Sequence, residues 1–243
     1  MAVRIAMWSG PRNISTALMR AWGSRADCYV TDEPLYAFYL RETGLDHPGR
    51  EATLAAHSSD WREVTRWLTG PIPEDRSIWY QKQMAHHLLP SVGRDWLSKL
   101  THAFLIRDPR EMLLSLVEFL PTIRVEDTGL PQQVELFRRV LEQEPRPPVV
   151  VDGRDVLEDP PGLLQELCRR LEVPYDAAML QWEPGLRKTD GAWAPFWYDK
   201  VRKTTTFGKY RPKDGPLPEP LEPVYQACIP LYEELAEYKI GRI

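Results

Sequence analysis

The residues best suited to chemistry lie in Trp8-Ser9-Gly10-Pro11-Arg12-Asn13-Ile14-Ser15-Thr16-Ala17-Leu18. Here an apolar run of strand length, Ala2 to Trp8, breaks at Gly10-Pro11 and gives way to helical spacing at Ile14, Ala17, Leu18, Ala21 and Trp22. Asn13 or Ser15 is available as the N-cap. A loop that opens into a helix N-terminus aims free backbone N–H groups and the positive end of the helix dipole at whatever sits above it. Arg12 adds a fixed charge, and Ser15 and Thr16 add hydroxyl donors. The stretch from Gly10 to Thr16 is thus equipped to hold an anion such as a phosphate, although an ordinary strand-to-helix turn with a solvated arginine has similar residues. It is not a Walker A loop, because no lysine occurs before Lys82.

Other candidates stand at strand ends. Asp27 to Pro34 reads as a second strand closing in Asp32 and Glu33, Ser77 to Lys82 as a third, Leu100 to Asp108 as a fourth that ends in Arg107, and Pro148 to Asp152 as a fifth. In an open α/β sheet such ends face the ligand crevice, so Asp32 and Glu33 lie near the first loop if the first two strands are neighbours. His86 and His87 follow the third strand. Adjacent helical residues point about 100° apart, so only one of the two can face a site, and the pair is a poor metal ligand.

These residues need elements to position them. Helices are expected over 13–25, after Pro109, over 131–143, around Leu163 to Leu171 and over about 220–238. Strands alternating with helices predict an α/β fold with a mostly parallel central sheet flanked by helices. The chain reads as a single domain over 1–243. Residues 36–75 carry no strand signal and form a helical insertion covering the crevice. Residues 182–211 are a loop region in which Trp182, Trp193, Phe196, Trp197 and Tyr198 either pack on the core or wall an acceptor site. The basic run Lys200 to Arg211 has five cations and no acid, and Gly208 among them suits a second phosphate contact.

Composition limits the choices. With 243 residues, 43% hydrophobic and 27% charged, the chain can bury a full core. A net charge of −4 argues against a general binder of nucleic acid or anionic membranes. No run approaches the roughly 18 apolar residues of a membrane span, and no leader precedes the first strand, so a cytoplasmic protein is expected. Cys28, Cys168 and Cys228 are odd in number and far apart, which suits small buried apolar residues rather than disulfides or zinc ligands.

Two junctions together match one pattern. Pro11-Arg12-Asn13-Ile14-Ser15-Thr16 resembles the 5′-phosphosulfate loop of sulfotransferases, which use 3′-phosphoadenosine 5′-phosphosulfate (PAPS) as donor. Arg107, with Ser115 eight residues later, resembles that family's 3′-phosphate site. Asp32-Glu33-Pro34-Leu35 is similar to the acid-Pro-Leu of carbohydrate-type members, and Phe207-Gly208-Lys209-Tyr210 to the C-terminal signature. The resemblance spans nearly the whole chain and implies a P-loop-like three-layer fold. It further implies sulfuryl transfer from PAPS to a hydroxyl or amine of a small-molecule acceptor, without a metal.

On that resemblance, Gly10, Pro11, Arg12, Asn13, Ile14, Ser15 and Thr16 serve the 5′ end of the donor, with Arg12 also acting on the leaving phosphate. Arg107 and Ser115 clamp the 3′-phosphate, and Lys203, Gly208 and Lys209 close over it. Glu33 is the first choice of base, His86 and His87 are its rivals, and Lys82 is placed to stabilise the bridging oxygen. Two departures stand out. Ile14 replaces the family's loop glycine, and Lys82-Gln83-Met84 lacks the Lys-x-His of cytosolic members. A catalytically silent nucleotide-binding protein is one alternative. A kinase-like phosphoryl transferase is the other, against which stand the missing Walker lysine and the lack of a clear magnesium-binding aspartate after a strand.

Overall fold

The computed structural model of the chain describes residues 2–120 and 122–241. Its elements follow in the order β1 (Val3–Ser9), α1 (Ser15–Gly23), β2 (Cys28–Asp32), α2 (Tyr36–Thr43), α3 (Arg50–Ala56), α4 (Trp61–Leu68), β3 (Ile78–Met84), β4 (Thr101–Ile106), α5 (Pro109–Leu116), α6 (Leu130–Gln143), β5 (Val149–Asp152), α7 (Gly153–Glu158), α8 (Pro160–Arg170), α9 (Ala194–Trp197) and α10 (Glu222–Ala236). The strands make a parallel sheet in the order β2-β3-β1-β4-β5, flanked by helices, which is the α/β architecture that the alternation of patterns predicts. β1 and β2 are not neighbours, because β3 lies between them. Two compact units divide the chain: Met1–Met7, Ser15–Thr101 and Asp176–Phe207 form the first, and Trp8–Ile14, His102–Tyr175 and Gly208–Ile243 the second.

In the first unit β2 pairs with β3 in parallel, from Cys28 beside Ile78 to Asp32 beside Lys82. This register sets an acid and a base side by side at the strand ends. Beneath them Trp22 of α1 stacks on Tyr80 of β3 with ring centroids 5.3 Å apart. Burying an aromatic ring of this size contributes about 1.5–3 kcal/mol. The segment 36–75 holds α2, α3 and α4. Asp60 starts α4 by accepting the Arg62 N–H at 2.8 Å, and Val64 and Leu68 face inward one turn apart. In 182–198, Trp182, Trp193 and Tyr198 are buried while Phe196 is exposed. The segment is pinned to α1 by a wholly buried pair, Arg20 to Asp190, whose second hydrogen bond is 2.7 Å long.

In the second unit β4 pairs with β5 in parallel, from Ala103 beside Val149 to Ile106 beside Asp152. The Val149-Val150-Val151 run is buried throughout although β5 is an edge strand of the order, and the C-terminal segment meets its outer side, where the Ile240 N–H donates to the Val150 carbonyl at 2.9 Å. Phe104 packs edge-on against Phe137 of α6 at 5.6 Å. From α6, the buried Gln133 amide donates to the carbonyls of Trp8 at 3.0 Å and Leu105 at 3.2 Å, and so satisfies backbone at two strand ends. Glycine is needed at position 10, where a Cβ would come within 2.4 Å of the Thr128 carbonyl oxygen. Cys28, Cys168 and Cys228 are buried free thiols. Among the described residues no helix is long and apolar enough to cross a membrane.

Candidate functional site

In the second unit, the ends of β1 and β4 build a cationic corner. β1 stops at Ser9, and Pro11 and Arg12 turn the chain, with Arg12 in the left-handed region at φ 57°. Ile14 does not take a positive φ, so the absence of a glycine there carries no backbone cost. The Arg107 guanidinium donates through Nη1 to the Arg12 carbonyl and through Nη2 to Glu111 Oε2 at 3.0 Å. Glu111 Oε1 accepts the Tyr210 hydroxyl. The Arg12 side chain in turn donates to Ser115 Oγ at 3.1 Å and lies over the Phe119 ring at 4.2 Å. The two arginines therefore hold each other: Arg107 fixes the Arg12 backbone, and α5 with its following turn fixes the Arg12 head.

The helix carrying Ser115 starts where the sequence requires. Asp108 caps α5 by accepting the Glu111 N–H at 3.0 Å, and Pro109 occupies the first turn. At the other junction, Asn13 Oδ1 accepts the Ile14 N–H at 2.8 Å, a local turn that delays the helix start to Ser15 rather than 13. Ser15 is buried and Thr16 half-buried in the first turn of α1. Burial pulls the Arg12 guanidinium below its ordinary value; Glu118 opposes this and the nearby Arg107 charge adds to it. Each arginine thus has a carboxylate near it, Glu111 on Arg107 and Glu118 by Arg12, and an anion here would be held by the N–H donors that these acids leave over.

Arg107 also lines a cavity of about 300 Å³, with Asn13 and Ile14 from the loop, Arg110 from α5, Arg154 from α7, and Tyr210, Arg211 and Lys213 from the C-terminal segment. At its wall Asp152 accepts the Arg154 N–H at 2.8 Å and the Tyr232 hydroxyl at 2.7 Å, and Arg154 lies over the Tyr210 ring at 5.1 Å. Of the expected C-terminal contacts, Gly208 and Lys209 are exposed and do not line this cavity. The residues just after them do. Lys203 lies in the first unit, where its ammonium pairs with Asp199 at 3.1 Å. Sequence reasoning missed Arg154, Asp152 and Tyr232. The one signal for them was an acid at the end of the fifth strand, two residues before an arginine.

In the first unit, the paired ends of β2 and β3 carry a second cluster. The Lys82 ammonium, its side chain 1% exposed, donates to Glu33 Oε1 at 2.6 Å, Tyr198 Oη at 2.6 Å and Asp32 Oδ1 at 2.9 Å. Tyr198 donates to Asp32, whose Oδ2 also accepts the Gly191 N–H at 3.1 Å. Burial alone would lower the Lys82 ammonium, but the Asp32 and Glu33 charges outweigh it and hold it well above the ordinary lysine value. Glu33 is pushed up, first by burial, against the pull of Lys82 and with the help of the Asp32 charge. Glu33 also sits at φ 37°, a left-handed conformation that costs about 1–3 kcal/mol in a residue with a side chain.

His86 and His87 belong to a single 3-10 turn, Ala85–His87, rather than a helix, because β3 runs on to Met84. His87 is buried and stacked on Tyr36 with ring centroids 4.7 Å apart. Burial, then the neighbouring His86, His47 and Lys82, keep its imidazole well below the ordinary value and therefore neutral. His86 is half-buried, edge-on to Tyr39 at 5.3 Å. Among the described residues no three His, Cys, Asp or Glu side chains gather as a metal site.

A family model described as sulfotransferase domain matches residues 3–238. The chain is 34% identical over 230 residues to branched-chain-amino-acid aminotransferase-like protein 2 of Arabidopsis thaliana, and 34% identical over 236 residues to the like-named protein 1. These matches cover 94% and 95% of this chain but 40% and 41% of the plant proteins, so the chain spans about two fifths of the length of these curated relatives. Among solved structures, a sulfotransferase from Alicyclobacillus acidocaldarius superposes with a TM-score of 0.55 at 13% identity, covering 98% of this chain and 95% of its own. The sulfotransferase domain from the curacin biosynthetic pathway gives 0.50 at 16% identity, covering 93% and 97%. At these identities the structural likeness is one of fold, and it is the match across 3–238 that assigns the chain to the sulfotransferase domain family.

Proposed function

We propose that this domain transfers the sulfuryl group of PAPS to a hydroxyl or amine of a small-molecule acceptor. The observation that carries the reading is the interlock of Arg12 and Arg107, which joins the first loop to the end of β4 in one cationic corner. The chemistry of that corner fits the donor. Guanidinium groups, a serine hydroxyl and a helix N-terminus suit phosphate oxygens, and the adjoining cavity adds Arg154 and Arg211 beside the Tyr210 ring.

The donor supplies a sulfuryl group on a phosphate leaving group. In this reading Arg12, Ser15, Thr16 and the start of α1 neutralise the 5′ end, and Arg107 with Ser115 holds the 3′-phosphate that distinguishes this nucleotide from ATP. An acceptor oxygen or nitrogen forms a bond to sulfur as the sulfur–phosphate oxygen bond breaks. The electron pair leaves on that oxygen, and Glu33 takes the acceptor's proton. Burial and the Asp32 charge raise the basicity of Glu33 for this task.

The test is turnover with sulfur-labelled PAPS against a metabolite extract. Label should move to an extract component with the wild-type chain and stay on the donor with Glu33→Gln. Label transfer undiminished by Glu33→Gln would move the base elsewhere, to His86 first, since it is the more exposed of the two histidines. Bisphosphate binding with no transfer to any component would favour the silent nucleotide-binding alternative.

A further inference from the structure

We infer that Tyr198 and Asp32 are positioning residues for Glu33, acting through Lys82, and that Lys82 orients this carboxylate instead of donating to the transferred group. The inference rests on the reading of Glu33 as base and concerns the first unit alone.

Hydrogen-bond bookkeeping carries it. An ammonium has three N–H donors and no acceptor. Lys82 has three acceptors at 2.6–2.9 Å, on Glu33, Tyr198 and Asp32, so no donor is left for a ligand. Because Lys82 can only donate, Tyr198 must accept from it, and the one phenolic proton goes to Asp32 at 2.7 Å. Asp32 is held in turn by the Gly191 N–H, next to Asp190, which is paired with the buried Arg20. A continuous set of bonds thus runs from α1 to Glu33 Oε1.

Among the described residues Glu33 Oε2 has no hydrogen-bond partner, and the Glu33 side chain keeps 13% of its surface exposed while Asp32 keeps none. One oxygen is therefore pinned and the other is open to a proton. The charge count gives the same direction: with one ammonium and two carboxylates the cluster is negative by one, and a proton on Glu33 makes it neutral. A buried ion pair that served only stability would need neither an open carboxylate oxygen nor a left-handed residue to present it.

Other groups face the cluster. Tyr36 of α2 lies within reach of the Glu33 charge, His57 feels Asp32, and His87 feels Lys82. None of the three hydrogen-bonds to Glu33 through its side chain, so Tyr198 and Asp32 remain the groups that set the Lys82 position.

The experiment is a carboxyl-carbon NMR titration of Glu33 in the full chain, with its signal assigned by loss in Glu33→Gln. Tyr198→Phe removes the proton that offsets the Asp32 charge and frees Lys82 to lean toward Asp32. The Glu33 midpoint should rise by about half a unit or more. Asp32→Asn removes the competing charge and leaves Lys82 to Glu33, so the midpoint should fall by about one unit. A purely structural Tyr198 would lower the melting temperature and leave the midpoint where it was.

An unchanged midpoint in the folded variants overturns the proposal. If Tyr198→Phe does not fold, Asp32→Asn decides by itself, and failure of both to fold also overturns it by assigning the cluster to stability. The titration needs neither donor nor acceptor. Failure of the sulfuryl-transfer reading would appear separately, as absence of label transfer with the midpoint shifts intact.

Discussion

Glu33 carries the sharpest consequences at the scale of single residues. Because burial and Asp32 raise its carboxyl, the acid limb of transfer activity should lie above the ordinary glutamate value of 4.5. A pH–rate profile checks this, and Lys82→Met should displace the limb further upward by removing the one charge that opposes the shift. The sign for stability follows from linkage. The folded chain binds the Glu33 proton more tightly than the unfolded chain, so Glu33 favours folding below pH 4.5 and loses that contribution as pH rises through its folded value. Arg107→Ala should weaken bisphosphate binding by about tenfold to a hundredfold, the worth of one or two charge-assisted hydrogen bonds. Calorimetric titration measures it. The loss has two sources, a missing cation and an Arg12 carbonyl released from its left-handed turn. Arg12, Arg107, Glu33 and Lys82 were all legible as types at strand ends. Tyr198 was not, because its partner Lys82 lies 116 residues away and nothing local marks an aromatic residue in a loop as a hydrogen-bond hub.

Among elements, the buried Arg20–Asp190 pair ties the segment before α9 to α1 and so steadies Gly191 under Asp32. Asp190→Ala leaves a buried guanidinium without its partner and should cost about 3–5 kcal/mol, read from a urea melt. Neither residue was singled out in the sequence, since a long-range buried pair has no local pattern. The strand-to-helix junctions were legible because their signals are local: Pro109 behind an Asp108 cap, and the apolar runs of β1 and β5. The order of strands was less so. Placing β3 between β1 and β2 depends on the pairing of Asp32 with Lys82 across 50 residues of mostly helical chain, and that register is what brings the two charges together. His86 and His87 fall in the short turn Ala85–His87 because β3 runs two residues past Lys82, to Met84.

For the whole molecule, membership of the sulfotransferase domain family is settled by the match over 3–238, while the donor rests on the corner of Arg12 and Arg107. The loop, the end of β4 and the C-terminal segment come together in the second unit, as the order of the motifs required. Gly208 and Lys209 gave way to Tyr210 and Arg211 as the cavity's wall, a shift of two residues that composition could not resolve. The most direct measurement is a thermal shift of the full chain with 3′,5′-bisphosphoadenosine, 5′-AMP and magnesium ATP at equal concentration. The predicted result is stabilisation by the bisphosphate well beyond that by AMP, with most of that excess lost in Arg107→Ala. Equal stabilisation by AMP, or a preference for magnesium ATP, would contradict a corner built for the 3′-phosphate.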